Sequence, residues 1–199
     1  VELVEKRRIS ATSCMTVSRW WHEHASKLRP LSDRIDIGLH LTLTDGRPLG
    51  EMPQLAPSGR FPDQGQLIRA CIGGKVNMAE IRDELLRQID AFVEAYGCLP
   101  DYLDGHHHIH QLPWIRDTVI DLFLERFDRN RAYIRCCWDP PWRIIRGRLH
   151  IFRAAAIALP GWHMRKRLLS NRISFNLGFA GVHDFRGRID FPELMQRFL

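Results

Sequence analysis

The strongest constraint on the fold is one long amphipathic helix enclosed by two β-type runs. Residues 36–44, DIGLHLTLT, alternate strictly: Ile37, Leu39, Leu41 and Leu43 share one face, and Asp36, Gly38, His40 and Thr42 share the other. Residues 77–97, NMAEIRDELLRQIDAFVEAYG, carry a helical stripe of Ile81, Leu85, Ile89, Phe92 and Tyr96. Asn77 with Glu80 spells a capping box, and Gly97 stands where the helix would end. DYLDGHHHIH (101–110) then reads as a strand running into a loop. Strand, helix, strand predicts a βαβ unit and a parallel sheet.

The alternation continues on both sides. ISATSCMTVS (9–18) reads as a strand leaving into a polar loop. Pro113 can open a helix that turns Ile115, Val119, Leu122 and Phe123 inward, and AYIRCCW (132–138) reads as a further strand. Residues 50–76 are rich in Pro and Gly, lack a clear period, and are expected to form a long functional loop. The expected class is α/β with a mostly parallel sheet, open or closed into a barrel, in a single domain over 1–199.

With 199 residues, 45% hydrophobic and 26% charged, the chain can bury the core of one domain and is not disordered. No run of eighteen apolar residues suggests a spanning helix, and VELVEKRRIS does not resemble a signal peptide. Five cysteines without a CxxC spacing argue against a disulfide framework or a zinc ribbon, and they suit a reducing cytoplasm.

The formal charge of +6 is uneven: residues 142–172 hold eight Lys or Arg and no acid, interleaved with Trp, Ile, Leu and Phe. One reading is a helix pair whose arginine stems pack over apolar residues. The other is a basic amphipathic lid or insertion, about 140–175, that meets a membrane surface or an anionic, lipid-linked substrate.

Four of the ten histidines fall within positions 106–110. Histidine is the commonest metal ligand through a neutral ring nitrogen. A catalytic site usually takes three His or carboxylate ligands and leaves a position for water. In an extended run, period two would put Asp104, His106, His108 and His110 on one side and Gly105, His107 and Ile109 on the other. The carboxyl end of a strand is where α/β folds place such groups. His40, mid-strand on a polar face, is the natural partner, although alone it would read as a core histidine. Two histidines from two strands leave a set of three incomplete. Asp104 is the nearest acid, and it could equally orient an imidazole from behind.

In order and spacing, RISATSCMT, GLHLTLTDGRPL and YLDGHHHIHQLP resemble the YdjC-like carbohydrate deacetylases, a family that includes the chitooligosaccharide (diacetylchitobiose) deacetylases. The resemblance is strongest over residues 9–49 and 77–125, weak over 50–76 and 140–175, and returns in NLGFAGVHDFRG (176–187). It implies a distorted (β/α) barrel of the polysaccharide-deacetylase type, incomplete at both ends of this chain. It also implies a metal-dependent hydrolase of C–N amide bonds that frees the N-acetyl group of an amino sugar, in an oligosaccharide or a lipid-linked glycan. The family holds one divalent ion, Mg2+ or Zn2+ here, with an aspartate of an N-terminal Ala-Asp-Asp-Phe-Gly motif, the histidine of the GLHL strand and the first histidine of the HHH run. The last two are His40 and His106. Asp104 and His108 become candidate catalytic groups, and His110 and Trp114, with Trp138 beside them, candidate substrate contacts.

Neither the Ala-Asp-Asp-Phe-Gly motif nor the family's carboxyl-terminal His-Pro-Gly stands within residues 1–199, so the expectation is a portion of a longer protein whose main base and acid lie elsewhere. Two other functions stay open: a metal phosphoesterase on a similar barrel, and a non-catalytic basic module on membrane or nucleic acid. The expected partners are an acetylated sugar and, through 142–172, a membrane surface or lipid-linked substrate. A homodimer is a further option, and nucleic acid is not expected. The expected location is cytoplasmic, with membrane-peripheral as the variant.

Overall fold

The computed structural model describes residues 2–147, 150–182 and 192. A short helix α1 (Glu2–Glu5) leads into β1 (Ala11–Cys14), then α2 (Trp21–His24) with a 3-10 segment, and β2 (Asp36–Leu41). Next come α3 (Gln64–Ile72), α4 (Met78–Tyr96), β3 (Tyr102–Gly105), a 3-10 turn at His106–Gln111, α5 (Ile115–Arg126) and β4 (Tyr133–Ile134). Two helices, α6 (Pro141–Gly147) and α7 (Ile151–Ser170), follow.

The four strands pair in the order β1-β2-β3-β4, every pair parallel. Each crossover thus returns the chain to the same sheet end, as the alternating strand and helix signals require. The sheet is not closed among the described residues, so an α/β fold with an open parallel sheet is observed. β2 buries Ile37, Leu39 and Leu41 completely or nearly so, together with Leu43 just beyond it. The α4 stripe of Ile81, Leu85, Ile89 and Phe92 and the α5 residues Ile115, Val119, Leu122 and Phe123 complete the core.

The helix ends follow the sequence with one exception. Gly97 caps α4 at φ 97°, the left-handed backbone that glycine adopts without a Cβ penalty. At the other end the Asn77 side chain accepts from the N–H groups of Ala79 and Glu80. Glu80 does not close the expected capping box. Its carboxylate accepts instead from the N–H groups of Gln54 and Leu55.

That exception is part of a larger arrangement. Glu84, one turn on and fully buried, accepts from the N–H groups of Leu49 and Gly50, from Gln88 Nε2 at 2.9 Å and from Arg87 Nε at 3.0 Å. Gln88 in turn accepts from Thr42 N–H and donates to Thr42 O. Three residues spaced i, i+4, i+8 along α4 therefore fasten residues 42–55. The expectation of one long loop over 50–76 needs correction, because residues 64–72 form α3. Its Asp63 and Gln66 make a reciprocal capping box that outweighs the Pro and Gly content around it.

Replacing Glu84 with alanine is expected to cost about 3 kcal/mol, since two loop N–H groups and the Arg87 guanidinium lose a buried carboxylate. Urea unfolding checks this; a loss below about 1 kcal/mol would mean other contacts hold the loop.

Across the basic stretch 142–172, the described residues form two helices, α6 and α7. Ala158, Gly161, Met164 and Leu168 bury one face of α7. The Arg165 guanidinium lies 4.8 Å from the Trp138 ring centroid, and Lys166 Nζ lies 3.5 Å from that of Trp162. The Cys137–Trp138 backbone would lie within 3.0 Å of a Cβ at Gly161, so α7 can come this close only without a side chain there.

Candidate functional site

The register of the sheet sets His40 of β2 directly opposite Asp104 of β3, with Ser13 of β1 in the next strand over. His40 Nδ1 lies 2.7 Å from Asp104 Oδ1, and Ser13 Oγ donates to Asp104 Oδ2 at 3.2 Å. Arg135, just past β4, brings Nη1 to 3.3 Å from Asp104 Oδ2. Burial raises the Asp104 pKa, but the hydrogen bond and charge of His40 and the charge of Arg135 outweigh it and hold the carboxyl below its usual range. An ionised carboxylate only accepts, so His40 donates through Nδ1 and turns Nε2 away from the pair.

After Gly105 the chain stops being a strand. His107 and His108 take left-handed backbone, φ 50° and 60°, and the chain coils into the 3-10 turn. Two consecutive non-glycine residues in that region carry local strain of a kind that clusters at functional sites. Gly105 makes the coil geometrically feasible. A Cβ there would stand 2.7 Å from His110 Nδ1 and 2.9 Å from the His110 backbone nitrogen.

The turn overrides the period-two arrangement, and the four histidines diverge. His106 faces His40, ring centroids 5.5 Å apart and edge-on at 70°. His107, expected on the opposite side, swings to Asp45, with Nδ1 3.2 Å from Oδ2, and lies 3.1 Å from Thr44 Oγ1. His108 turns its Nδ1 to the Cys137 thiol at 3.3 Å and its ring to Phe179. His110 folds beneath the turn and donates through Nε2 to Arg135 O at 2.7 Å.

Two assignments change as a result. His110 is completely buried, so it supports the turn and cannot meet a substrate. Asp104 is completely buried as well, and its contacts with His40, Ser13 and Arg135 make it a positioning residue, not one that touches reacting atoms. Trp114 stays half exposed at φ 69°, with Nε1 donating to Cys71 O at 3.1 Å, a tie to the end of α3. Trp138 packs against the core beneath Arg165.

Asp45 is the residue that sequence reasoning passed over. It follows the GLHL strand in a DG turn, at φ 57°, a backbone that Asp tolerates. Asp45, His106 and His107 each offer a ligand atom, all within 4.8 Å of one another. Burial, then the charges of His107 and His40, lower the His106 pKa to about 4, so its imidazole is neutral at pH 7 with a lone pair to give. Asp45, His106 and His107 are thus the donor set among the described residues that suits a divalent cation, and His40, held from behind by Asp104, faces His106 across 5.5 Å. Gln64 Nε2 donates to His107 O at 3.2 Å, so the segment before α3 reaches this rim.

Comparison with known proteins gives the family. The family model described as YdjC-like protein matches residues 1–198. The chain belongs to the YdjC-like family. A chitooligosaccharide deacetylase of Serratia marcescens is 36% identical over 139 residues, 66% of this chain and 53% of that protein. A carbohydrate deacetylase of Geobacillus stearothermophilus is 34% identical over 106 residues, 53% of this chain and 40% of its own length. This YdjC-like chain therefore spans about half the length of the curated relatives it matches. Among solved structures, an Enterococcus faecalis protein named for cellobiose-phosphate cleavage aligns with TM-score 0.54 and 24% identity, over 66% of this chain and 50% of that one. That likeness speaks for the fold alone. Of the family-like stretch 176–187, residues 183–187 lie outside the described residues.

The buried imidazoles of this YdjC-like chain give folding a definite pH dependence. Burial lowers the pKa of His106 and of His110 to about 4 and that of His108 to about 3, from 6.5. The unfolded chain binds these protons near 6.5 and the folded chain only near 4 or below. Stability is therefore full above 6.5 and falls as pH drops toward 4. His110 alone contributes on the order of 3 kcal/mol to that loss. Chelator-treated protein should show it in urea melts between about pH 7 and about pH 4. A flat profile there would mean that His110 is not held neutral.

Proposed function

We propose that this chain belongs to a metal-dependent N-deacetylase, a cytoplasmic hydrolase that frees the acetyl group of an acetylated amino sugar in an oligosaccharide or a lipid-linked glycan. One divalent ion, Mg2+ or Zn2+, would be held by His40 and His106, with Asp45 as the nearest carboxylate. When bound, such an ion supplies a Lewis acid for the acetamide carbonyl. His40 offers Nε2 because Asp104 occupies Nδ1, and His106 offers a neutral ring because burial keeps the proton off. His107, tied to Asp45 and Thr44, sets the rim over which the sugar would enter. His108 is a further candidate on the same turn, but its Nδ1 faces Cys137 and not the rim. The deacetylase names of the relatives support an acetylated sugar as the substrate. In the reading's full form, residues 1–199 make one domain of a distorted (β/α) barrel.

The observation that carries the reading is the His40–Asp104 pair set edge-on to His106 at the carboxyl end of parallel strands. Calorimetric titration with Zn2+ or Mg2+ and assay of acetate release from diacetylchitobiose test it together. The expected stoichiometry is about one ion per chain. Binding of about two ions with hydrolysis of phosphate esters and no acetate release would replace it with a phosphoesterase.

A further inference from the structure

The α6–α7 pair carries a surface that the chemistry at the histidines does not use. A groove of about 460 Å3 runs between the two helices, lined by Ile144, Ile145, Ile151, Leu159 and Trp162. Beside it the side chains stand well out of the fold. Phe152 is 93% exposed, Leu159 66%, Ile145 61% and Trp142 58%. Isolated exposed apolar residues need no explanation, but a contiguous group rimmed by charge does.

The rim is predominantly basic, with Asp139 the one acid among the groove's lining residues. Residues 141–170 contain seven Lys or Arg and no Asp or Glu. Among the described ones, Arg143, 3.8 Å from Asp139, and Arg146 lie on α6, Arg153 lies early on α7, and Lys166 lies over Trp162. α7 buries Ala158, Gly161, Met164 and Leu168, so among the described residues its opposite face can meet a partner without opening the core. The same helix packs against the histidine turn, which brings this face close to the candidate site.

We propose that the α6–α7 hairpin docks on an anionic lipid bilayer, lying in the interfacial layer. Charge complementarity selects this occupant: a cationic rim meets acidic headgroups, tryptophans settle at headgroup depth, and aliphatic and phenyl groups enter the acyl boundary. A nucleic acid would answer the charge but has no use for exposed Ile and Leu side chains. A second copy of this chain would bring the same positive face against itself. No helix among the described residues is long and apolar enough to cross a membrane, so the hairpin rests on the surface and does not span it. Lipid-linked substrates would then be presented at the site's own edge, a consequence that rests on the deacetylase reading. The docking itself does not.

The test is co-sedimentation of the full chain with phosphatidylcholine vesicles, with and without phosphatidylglycerol, scored without turnover. Binding is expected only to the anionic vesicles, weakening as salt rises. Paired removal of charge in Arg143→Gln/Arg146→Gln should reduce the partition about twenty-five-fold, at about fivefold per charge. Phe152→Ser, at a side chain almost wholly in solvent, should reduce it by about tenfold while leaving the urea melt unchanged. Equal partition to neutral vesicles, or no partition at all, overturns the proposal. So does anionic binding that Phe152→Ser leaves intact, which is only adhesion of a basic protein. A self-association that Phe152→Ser abolishes, or binding to an oligonucleotide in preference to vesicles, would give the face to a different partner and overturn it equally. Each of these failures leaves acetate release, and so the deacetylase reading, untouched.

Discussion

On the deacetylase reading, His106→Ala is expected to remove divalent-ion binding and acetyl release together. The ring lies edge-on to His40 at 5.5 Å, and its ligand atom lies within 4.8 Å of those of Asp45 and His107, so it stands between His40 and the Asp45–His107 pair. Losing a group that merely orients a ligand typically costs 10–100-fold in metal affinity. Loss of the ligand itself should exceed that, by more than about 100-fold in calorimetric titration. The fold should survive, because a half-buried imidazole at the rim is removed and no core atom goes with it. His40→Ala should do the same, while His108→Ala, whose partner is the Cys137 thiol, should keep metal affinity near the starting value. Unchanged ion binding in His106→Ala would put the metal elsewhere.

Asp104→Ala has the largest expected effect on stability. Its carboxylate is sealed in the sheet and serves His40, Ser13 and Arg135 at once, so truncation strands three polar partners where water cannot reach them easily. Breaking such a buried pair costs about 3–5 kcal/mol. Asp104→Asn separates this from the orienting role. The amide keeps the volume and can still hydrogen-bond, but it no longer attracts a proton to His40 Nδ1. Metal affinity should then fall about 10–100-fold with a much smaller change in the urea midpoint. If Asp104→Asn bound metal as tightly as the parent, the carboxylate would be a structural group only.

Much of this was legible in the order of residues, and what was hidden has identifiable causes. The strict alternation of DIGLHLTLT placed His40 correctly because a strand's period is fixed by its pleat, and the α4 stripe was long enough to read without ambiguity. α3 escaped notice because only Leu67 and Cys71 of its nine residues are fully buried, leaving almost no stripe among the turn-forming residues around it. Glu80 looked like a partner for Asn77, yet two unpaired loop N–H groups offered its carboxylate more. The histidine run misled for a different reason. Nothing in HHH announces two left-handed residues, and the close approach that forces the coil is between Gly105 and a residue five positions on. Asp45 meets His107 across some sixty positions of chain, a proximity that sequence spacing does not encode.

The row of Glu80, Glu84 and Gln88 has a consequence for how a ligand is received. Residues 42–55 are irregular backbone, the usual material of a flap that must order itself around what it binds. Here six of that segment's backbone polar groups are engaged by side chains of one helix. The ordering cost is met when the chain folds and not again at each encounter. The rim that carries Asp45 is therefore preformed, and selectivity for a sugar would be decided by its fit to a fixed edge, with little left to closure.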